Sequence, residues 1–456
     1  MIVGGGLAGL SAAETLARQY GDRFEIVVLE SKRSSGGRAG SFADPHSGES
    51  VDYCQHVAMG CCTNLIGLLD RCGLAGSMQR YTELQFLHPH HLPSRFAPSR
   101  CLPAPLHLAG ALAALRYLNR KQRRQIRRGL LAMFRASSGA LNSQTAGDWL
   151  GAHDQDAETI RVFWDVIVVS ALGERTELVS MSAVRKVFVD GFAAARGASD
   201  VLVPKIPLAE LFGQRLCGAI EQLGVRVMTS TPVQRVADRV IETSDATRFD
   251  AEHVIVAVPW HAIANLFSQA ILPGVDRYAQ IPASPITGLH LWFDRELTDR
   301  PHAVMVGTIA QWLFRNPTYL RSASSDCYYQ VVISASHQAR TLPKEQLVKT
   351  VVTELRHAFP AAKQAKLLRS RIVTDPMSVF SNRPEVDAIR PPSRTPLPWL
   401  HLAGDWIATG WPATMEGAVI SGRMAAQSVA TREGWGNIEI DPGLRRSWLS
   451  RWVIKP

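Results

Sequence analysis

The sequence contains no apolar run long enough to cross a lipid bilayer. A spanning helix needs roughly 20 consecutive apolar residues, whereas apolar runs such as 254–259 are far shorter. No secretory signal pattern precedes the first motif of the chain. We therefore expect a cytoplasmic protein without a transmembrane span.

Cysteine-based sites are also missing. The seven cysteines are odd in number and scattered, and none forms a C-x-x-C pair. This spacing favours neither a disulfide framework nor a zinc site, so we expect reduced thiols and no metal. RNA-binding motifs with interleaved aromatic residues are absent as well. The formal net charge of +10 therefore predicts attraction to an anionic membrane surface rather than to nucleic acid.

The composition that remains is that of an ordinary globular protein, with 46% hydrophobic and 20% charged residues. No internal repeat or low-complexity block interrupts it. Because 456 residues exceed the size of one simple core, we expect two or three domains.

A dinucleotide-binding motif opens the chain. Its first nine residues, MIVGGGLAG, join the end of an apolar strand to a G-x-G-x-x-G turn, and a helical pattern follows. Gly4 permits the tight turn, Gly6 lets a pyrophosphate approach the backbone at the helix N-terminus, and Gly9 lets helix pack on strand. A second strand ends at Glu30, whose carboxylate can accept hydrogen bonds from ribose hydroxyls. Only two strand residues, Ile2 and Val3, precede the turn, so the first strand is expected to be short or to begin upstream of Met1.

The loop after Glu30 is a second candidate for cofactor contact. Gly36 and Gly37 would bring the backbone close to a ligand, and Arg38 could face its phosphates. A flexible surface loop would have the same composition. The position directly after the ribose-binding carboxylate favours cofactor contact.

His56 lies with Gln55 between apolar residues in the segment VDYCQHVAM. A packed, hydrogen-bonded histidine and a catalytic histidine both fit this setting, and packing is the commoner outcome. We keep His56 as the candidate catalytic residue.

The rest of the chain alternates between strand and helix patterns. Residues 286–333 alternate as antiparallel strands, and 344–359 form a helical pattern. Residues 81–105, rich in proline and histidine, predict an irregular crossing into a second domain. Strand patterns that would continue the nucleotide-binding sheet lie at 225–228, 231–236 and 254–258.

A second ligand-approach motif lies near the C-terminus, in WLHLAGDWIATGWPATMEGAVISGRM. A short strand ends in Gly404 and Asp405, and a helix of small residues follows from Thr414. A nicotinamide cofactor would need only the first motif. An extended flavin dinucleotide could use this second one, because a helix N-terminus favours the negative charge of a reduced flavin.

Together, GGGLAGL, ESKRSSGGR and GDW-x3-GWPATMEGAV resemble the superfamily of flavin-containing amine oxidases and phytoene desaturases. Within it, QHV-x2-GC with CTNL, VPKIPLAELF and TG-x-PATMEGAV-x-SG are most similar to the hydroxysqualene dehydroxylase family. The resemblance runs over nearly the whole chain. It implies FAD as the cofactor, and we expect non-covalent binding because the flavin-bordering part of the C-terminal motif, GDW-x3-GWPATMEGAV, has no cysteine or histidine for a covalent link. It assigns the following residues to the cofactor: Gly4, Gly6, Leu7, Ala8, Gly9, Glu30, Gly37, Arg38, Val233, Gly404, Asp405, Glu416, Gly417 and Ala418.

The fold that the resemblance implies is α/β: a Rossmann-like FAD-binding domain with an inserted α+β substrate domain. We expect the FAD-binding domain at 1–80, 201–260 and 395–430. The substrate domain would comprise 81–200 and 261–394. Residues 431–456 would form a basic C-terminal tail.

The activity that the resemblance implies is FAD-dependent removal of the hydroxyl of hydroxysqualene, a C30 isoprenoid alcohol, to give squalene. One alternative is a desaturase or oxidase of a carotenoid-like polyene or an amine. The aromatic pair that amine oxidases place over the flavin cannot be assigned here, which argues against an amine. An alternative of another class is a flavoprotein-fold module that binds lipid without turnover.

Two basic stretches predict peripheral docking at the inner face of the cell membrane. Residues 120–128 carry six basic residues beside an alanine- and leucine-rich segment, and residues 445–455 alternate tryptophan with basic residues. Basic helices next to apolar ones are typical of interfacial binding. Solvated surface faces would have the same pattern.

Overall fold

The computed structural model describes residues 1–315 and 326–455. The strands are β1 Ile2–Val3, β2 Val27–Leu29, β3 Ser41–Ala43, β4 Ser50–Asp52, β5 Ala58–Met59, β6 Met78–Tyr81, β7 Leu84–His88, β8 His91–Phe96, β9 Val201–Pro204, β10 Arg226–Met228, β11 Val233–Ala237, β12 Val240–Thr243, β13 Arg248–Asp250, β14 Val254–Val256, β15 Ala283–Phe293, β16 His302–Met305, β17 Trp312–Arg315, β18 Cys327–Ile333, β19 Leu367–Phe380 and β20 Leu400–Leu402. The α-helices are α1 Leu7–Tyr20, α2 Thr63–Arg71, α3 Ala109–Ala113, α4 Arg120–Arg135, α5 Ala146–Ala152, α6 Ala157–Thr159, α7 Asp165–Leu172, α8 Met181–Phe188, α9 Cys217–Glu221, α10 Val275–Ala279, α11 Lys344–Ala358, α12 Pro384–Ile389, α13 Met415–Glu433 and α14 Trp448–Val453.

A parallel sheet of order β10-β2-β1-β14-β20 joins segments that are far apart in the chain. Its central strands β1, β2 and β14 are continuous runs of valine, isoleucine and leucine that are buried, as a sheet covered on both faces requires. Ile2 lies between Val28 and Ile255. The carboxyl ends of β1, β2 and β20 therefore bring both glycine-containing motifs to one edge of the sheet.

Small residues let the two helices that follow these motifs cross closely. A Cβ on Gly422 of α13 would lie 2.2 Å from the carbonyl oxygen of Ala8 in α1. The hydroxyl of Ser11 donates to the carbonyl of Val419 at 2.9 Å. The helix of small residues that the sequence indicates thus holds the two motifs together.

A second sheet, of order β19-β15-β18-β17-β16-β7-β8, forms the body of the other half of the molecule. The antiparallel pairing of β15 with β18 confirms the alternation seen at 286–333. Helix α11 packs on one face, where Leu289 and Leu291 share a core with Val351 and Leu355. Helices α4 to α8 share a separate core with residues of β7, β8 and β16. This mixed α/β architecture with one parallel and one largely antiparallel sheet is the predicted two-domain fold.

Two local expectations were wrong. Residues 81–105 are not an irregular crossing, because β7 and β8 form a hairpin that pairs with β16. Residues 231–236 do not continue the parallel sheet, since β11 pairs with β12 in a small antiparallel sheet. Asp238 and Arg239 form its turn with φ of 48° and 68°, a left-handed pair typical of two-residue hairpins.

The C-terminal segment is not a free tail. Helix α13 continues to Glu433, and α14 packs its Ile454 against Phe134 of α4 and Ala194. All seven cysteines are free. Within residues 1–315 and 326–455, no helix combines the length and apolar character needed to cross a bilayer.

Candidate functional site

The first glycine turn tolerates no side chain at two of its positions. Gly4 has φ of +106°, and a Cβ there would lie 2.7 Å from the carbonyl oxygen of Ala257. A Cβ on Gly9 would lie 1.9 Å from the carbonyl oxygen of Gly4. No side chain caps the N-terminus of α1 at Gly6, and the first helical turn, which includes Leu7 and Ala8, has no acidic residue. The turn thus presents a helix N-terminus without a competing anion, which suits a phosphate group.

The second glycine loop lies directly against the first. The amide of Gly36 donates to the carbonyl of Gly5 at 2.8 Å. A Cβ on Gly37, whose φ is +67°, would lie 3.1 Å from the Cα of Gly6. The two loops form a cradle of bare backbone that side chains would fill. The alternative interpretation of residues 36–38 as a flexible surface loop does not explain this contact.

Glu30 is buried at the end of β2 and faces the first turn. Its Oε2 accepts from the amide of Gly5 at 2.8 Å, and its Oε1 accepts from the amide of Lys32 at 2.8 Å. The carbonyl of Glu30 accepts from the amide of Thr231, which aligns the segment leading to Val233 with the carboxyl end of β2. The predicted ribose contact, Glu30, is therefore bonded to the segment that leads to Val233, another predicted cofactor residue.

Arg38 connects the glycine cradle to the C-terminal motif. Its Nη2 lies 2.6 Å from Oδ1 of the buried Asp405, and its Nη1 donates to the carbonyl of Ser378 at 2.8 Å. The guanidinium carbon lies 5.7 Å from the ring centroid of Trp260. Asp405 follows Gly404, whose φ is +136° and whose amide donates to the hydroxyl of Ser421.

The second helix N-terminus is well defined at Thr414. The hydroxyl of Thr414 accepts from the amide of Gly417 at 3.1 Å. Glu416 turns its carboxylate to α2 and accepts from the amides of Asn64 and Leu65 at 3.0 and 2.8 Å. Burial raises the pKa of Glu416, and these hydrogen bonds oppose the shift. The Glu416 side chain fixes α13 to α2, so any contact of Glu416 and Ala418 with a flavin would come from the backbone.

His56 has one ring nitrogen in a hydrogen bond, and its other ring nitrogen has no hydrogen-bond partner among the described residues. Its Nδ1 lies 2.9 Å from the carbonyl of Cys54; because a carbonyl only accepts, Nδ1 carries the hydrogen and Nε2 has the lone pair. Burial lowers the pKa of His56, and the positive charge of Arg38 lowers it further, against the effect of the Cys54 carbonyl. Neutral His56 is therefore the dominant form at pH 7.

Sequence reasoning missed residues that follow β14. Trp260 is fully buried beneath Arg38. Burial lowers the pKa of His261, and the positive charge of Arg38 lowers it further. Ser378 was missed as well. The position of Trp260 and His261 after a central parallel strand was an available signal, since ligands bind at the carboxyl ends of such strands. Within the described residues, no group of three or more His, Cys, Asp or Glu side chains could hold a metal ion.

These features fit a dinucleotide-binding protein whose cofactor would lie between two distant motifs. The bare-backbone cradle, the uncapped N-terminus of α1 and the carboxylate of Glu30 fit the diphosphate and ribose of an extended cofactor. The family model described as flavin-containing amine oxidoreductase matches residues 7–430. The chain belongs to this family and is an FAD-dependent oxidoreductase.

Three similar proteins illustrate the range of the family. The 15-cis-phytoene desaturase of Narcissus pseudonarcissus is 25% identical over 469 residues, covering 94% of this chain and 79% of the desaturase. A hydroxysqualene dehydroxylase of Sinorhizobium fredii is 31% identical over 252 residues, covering 53% of this chain and 55% of that enzyme. The structure of cyclohexylamine oxidase from Brevibacterium oxydans has a TM-score of 0.67 at 19% identity and covers 95% of this chain and 98% of its own. At this low sequence identity, the structural similarity supports a shared fold and nothing about the activity.

Proposed function

We propose that this protein reductively removes the hydroxyl group of hydroxysqualene to give squalene. The observation that carries the proposal is the 31% identity to a hydroxysqualene dehydroxylase over 252 residues, together with the motifs that resemble that family. The reaction replaces a C–OH bond with a C–H bond and releases water. It therefore consumes two electrons and two protons, as one hydride for the new C–H bond and one proton for the departing hydroxyl, and a cellular reductant must supply the electrons.

An aromatic interior next to His56 agrees with an isoprenoid substrate. The rings of Phe86, Phe96 and Phe192 follow one another at centroid distances of 5.9 and 6.5 Å. Phe192 belongs to the π-helical segment Val189–Ala193. In the same segment, a Cβ on Gly191 would lie 3.8 Å from Cε of Met59. Val57, which follows His56, packs against the same core cluster as Phe192, so a hydrocarbon chain bound next to the candidate catalytic segment would be desolvated favourably.

The residues of the site have distinct roles in this proposal. FAD, when bound in its reduced form, supplies hydride. The glycine cradle and Glu30 bind its diphosphate and ribose, and Arg38 with Asp405 fixes the two motifs relative to each other. Non-covalent attachment remains part of the proposal.

His56 is the proposed proton donor to the leaving hydroxyl. Since its pKa lies below the usual range, His56 must first take up a proton, and turnover should become faster as the pH falls toward that pKa. His56→Gln should lower kcat while leaving the FAD content unchanged. An unaltered kcat would assign His56 to packing.

The competing proposal is desaturation of a carotenoid-like polyene. It is favoured by the 15-cis-phytoene desaturases, which match 94% of the chain, although at 25% identity. Lipid binding without turnover is the alternative of another class, and protein purified without flavin would support it.

Product analysis by mass spectrometry separates these proposals. The purified protein would be incubated with hydroxysqualene or with phytoene, each with and without a chemical reductant. We expect squalene only from hydroxysqualene and only with reductant. A polyene product from phytoene with an electron acceptor, and no squalene, would replace the proposal with desaturation.

A further inference from the structure

Helix α4 presents a strongly basic face to solvent. Its 16 residues include no acidic residue, and a capping box formed by Asn119 and Gln122 secures its N-terminus. Five exposed arginines lie within about 100° of arc at 3.6 residues per turn, and none forms an ion pair with a described residue. These are Arg120, Arg124, Arg127, Arg128 and Arg135. Leu131, 40% exposed, lies in the middle of the same face.

Not every basic residue of this helix belongs to that face. Arg123 turns inward and donates to the carbonyls of Leu118 and Leu115 at 3.0 and 2.8 Å. Lys121 pairs with Asp156 at 2.7 Å. The exposed arginines are therefore the ones without an internal structural role.

Helix α14 adds two tryptophans to this part of the surface. Trp448 is 67% exposed and Trp452 is 88% exposed, and their spacing of four places them on one side of the helix. Arg445, Arg451 and Lys455 are exposed beside them. Such exposure is unusual for residues that normally bury a large apolar surface.

Contacts between backbone groups hold α14 next to α4. The amide of Lys455 donates to the carbonyl of Phe134 at 2.8 Å, and Ile454 shares a core with Phe134. At the other end of α14, the hydroxyl of Ser447 donates to the carbonyl of Ala104. Leu102 and Leu106, which flank Ala104, are 43% and 50% exposed. The two basic stretches of the sequence, which are more than 300 residues apart, are thus held side by side, with exposed leucines nearby.

The inner side of this surface leads toward the cofactor motifs. Ser450 of α14 donates to the carbonyl of Ala193, in the π-helical segment whose Gly191 abuts Met59. In the preceding helix α8, Nζ of Lys186 lies 4.9 Å from the ring centroid of Trp411 in the C-terminal motif. The π-helical segment therefore contacts both α14 and Met59, and the preceding helix α8 contacts the C-terminal motif.

We propose that the exposed faces of α4 and α14, with Leu102 and Leu106, form a docking surface for an anionic lipid bilayer. The arginines would contact lipid phosphates, and the two tryptophans would enter the headgroup region, where their amphipathic rings are favoured. A nucleic-acid duplex is the less suitable occupant, because its bases are stacked inside and leave the exposed leucine and tryptophan side chains without an apolar partner. The proposal deepens the proposed function, since a C30 substrate resides in lipid.

Flotation of the full-length protein with vesicles tests the surface without requiring turnover. The vesicles would contain either phosphatidylcholine alone or phosphatidylcholine with phosphatidylglycerol. Arg124→Gln/Arg127→Gln/Arg128→Gln should reduce partition into the anionic vesicles by on the order of 100-fold. Trp448→Ala/Trp452→Ala should reduce it by about tenfold or more.

Matched variants remove similar groups elsewhere on the surface. Arg340→Gln/Lys344→Gln/Lys349→Gln removes three exposed charges at α11, and Leu92→Ala/Leu368→Ala removes two exposed apolar side chains. Both should bind anionic vesicles like the unmodified protein.

Three outcomes would overturn the proposal: equal binding to neutral and anionic vesicles, equal loss of binding in the control variants, or binding to a DNA duplex but to no vesicle. Failure of squalene formation with intact vesicle binding would overturn the proposed function and leave the docking surface in place. Far-ultraviolet circular dichroism would confirm that each variant is folded.

Discussion

Replacing Glu30 separates its role in binding FAD from its role in holding the backbone. In the unmodified protein the buried amide of Gly5 lies 2.8 Å from Oε2 of Glu30. Glu30→Gln keeps one side-chain oxygen that can accept from this amide but removes the negative charge. Hydrogen bonds to a charged group contribute roughly 1.5–3 kcal/mol. The dissociation constant for FAD should therefore rise by about 10- to 150-fold, with little change in the free energy of unfolding of the apoprotein.

Glu30→Ala should add a loss of stability. The Gly5 amide would lose its acceptor in a buried position, at a cost of about 1–3 kcal/mol, whereas the amide of the exposed Lys32 can bond to water. Urea unfolding measures the stability, and quenching of FAD fluorescence on titration of the apoprotein measures the affinity. Glu25→Gln, an exposed glutamate before β2, is the control. An FAD affinity of Glu30→Gln within about threefold of the unmodified protein would refute the ribose-binding role.

Three further predictions concern packing, pH and cofactor attachment. Gly422→Ala should destabilise the protein by about 1–3 kcal/mol through overpacking against α1. The control Gly218→Ala, with no heavy atom within 4 Å of the new Cβ, should stabilise it by up to about 1 kcal/mol. If urea unfolding showed that both substitutions stabilise the protein, the close helix crossing would be contradicted. Burial lowers the pKa of His302 to about 4 in the folded protein, whereas in the unfolded chain this histidine takes up a proton near pH 6.5. Its contribution to stability is therefore present above about pH 6.5 and is lost as the pH falls toward 4. His302→Phe should reduce the slope of unfolding free energy against pH by up to about 1.4 kcal/mol per pH unit in that window, and an unchanged slope would show that His302 does not titrate with folding. Acid precipitation should release the flavin into solution, and flavin retained in the pellet would indicate a covalent link.

Local motifs were predictable from the sequence because short stretches of backbone fix their geometry. The turn with Gly4, Gly6 and Gly9 lies next to Glu30 in the structure because glycine permits the turn and the second strand is only 20 residues away. The helix of small residues after Thr414 was predicted, and its Gly422 permits the close crossing with α1 that the structure shows. In each case a glycine indicates a position where the backbone turns tightly or another backbone approaches closely.

Contacts between distant segments were not predictable in the same way. The ion pair of Arg38 with Asp405 spans 367 residues, and neither residue type specifies its partner. The β7–β8 hairpin was missed because its strand character depends on pairing with β16, which overrides the proline and histidine content. The contact of the segment after α14 with Phe134 also depends on tertiary packing. The sequence therefore showed two basic stretches but not that they lie side by side.

The most direct test of the central claim is an anaerobic single-turnover reaction. Enzyme whose FAD has been reduced stoichiometrically would be mixed with hydroxysqualene, while absorbance near the flavin maximum and squalene formation are followed together. Reductive dehydroxylation predicts that the flavin is reoxidised and that one squalene forms per flavin. Flavin that stays reduced with hydroxysqualene, and oxidised flavin that becomes reduced on addition of phytoene, would contradict the account and show that the enzyme is a desaturase.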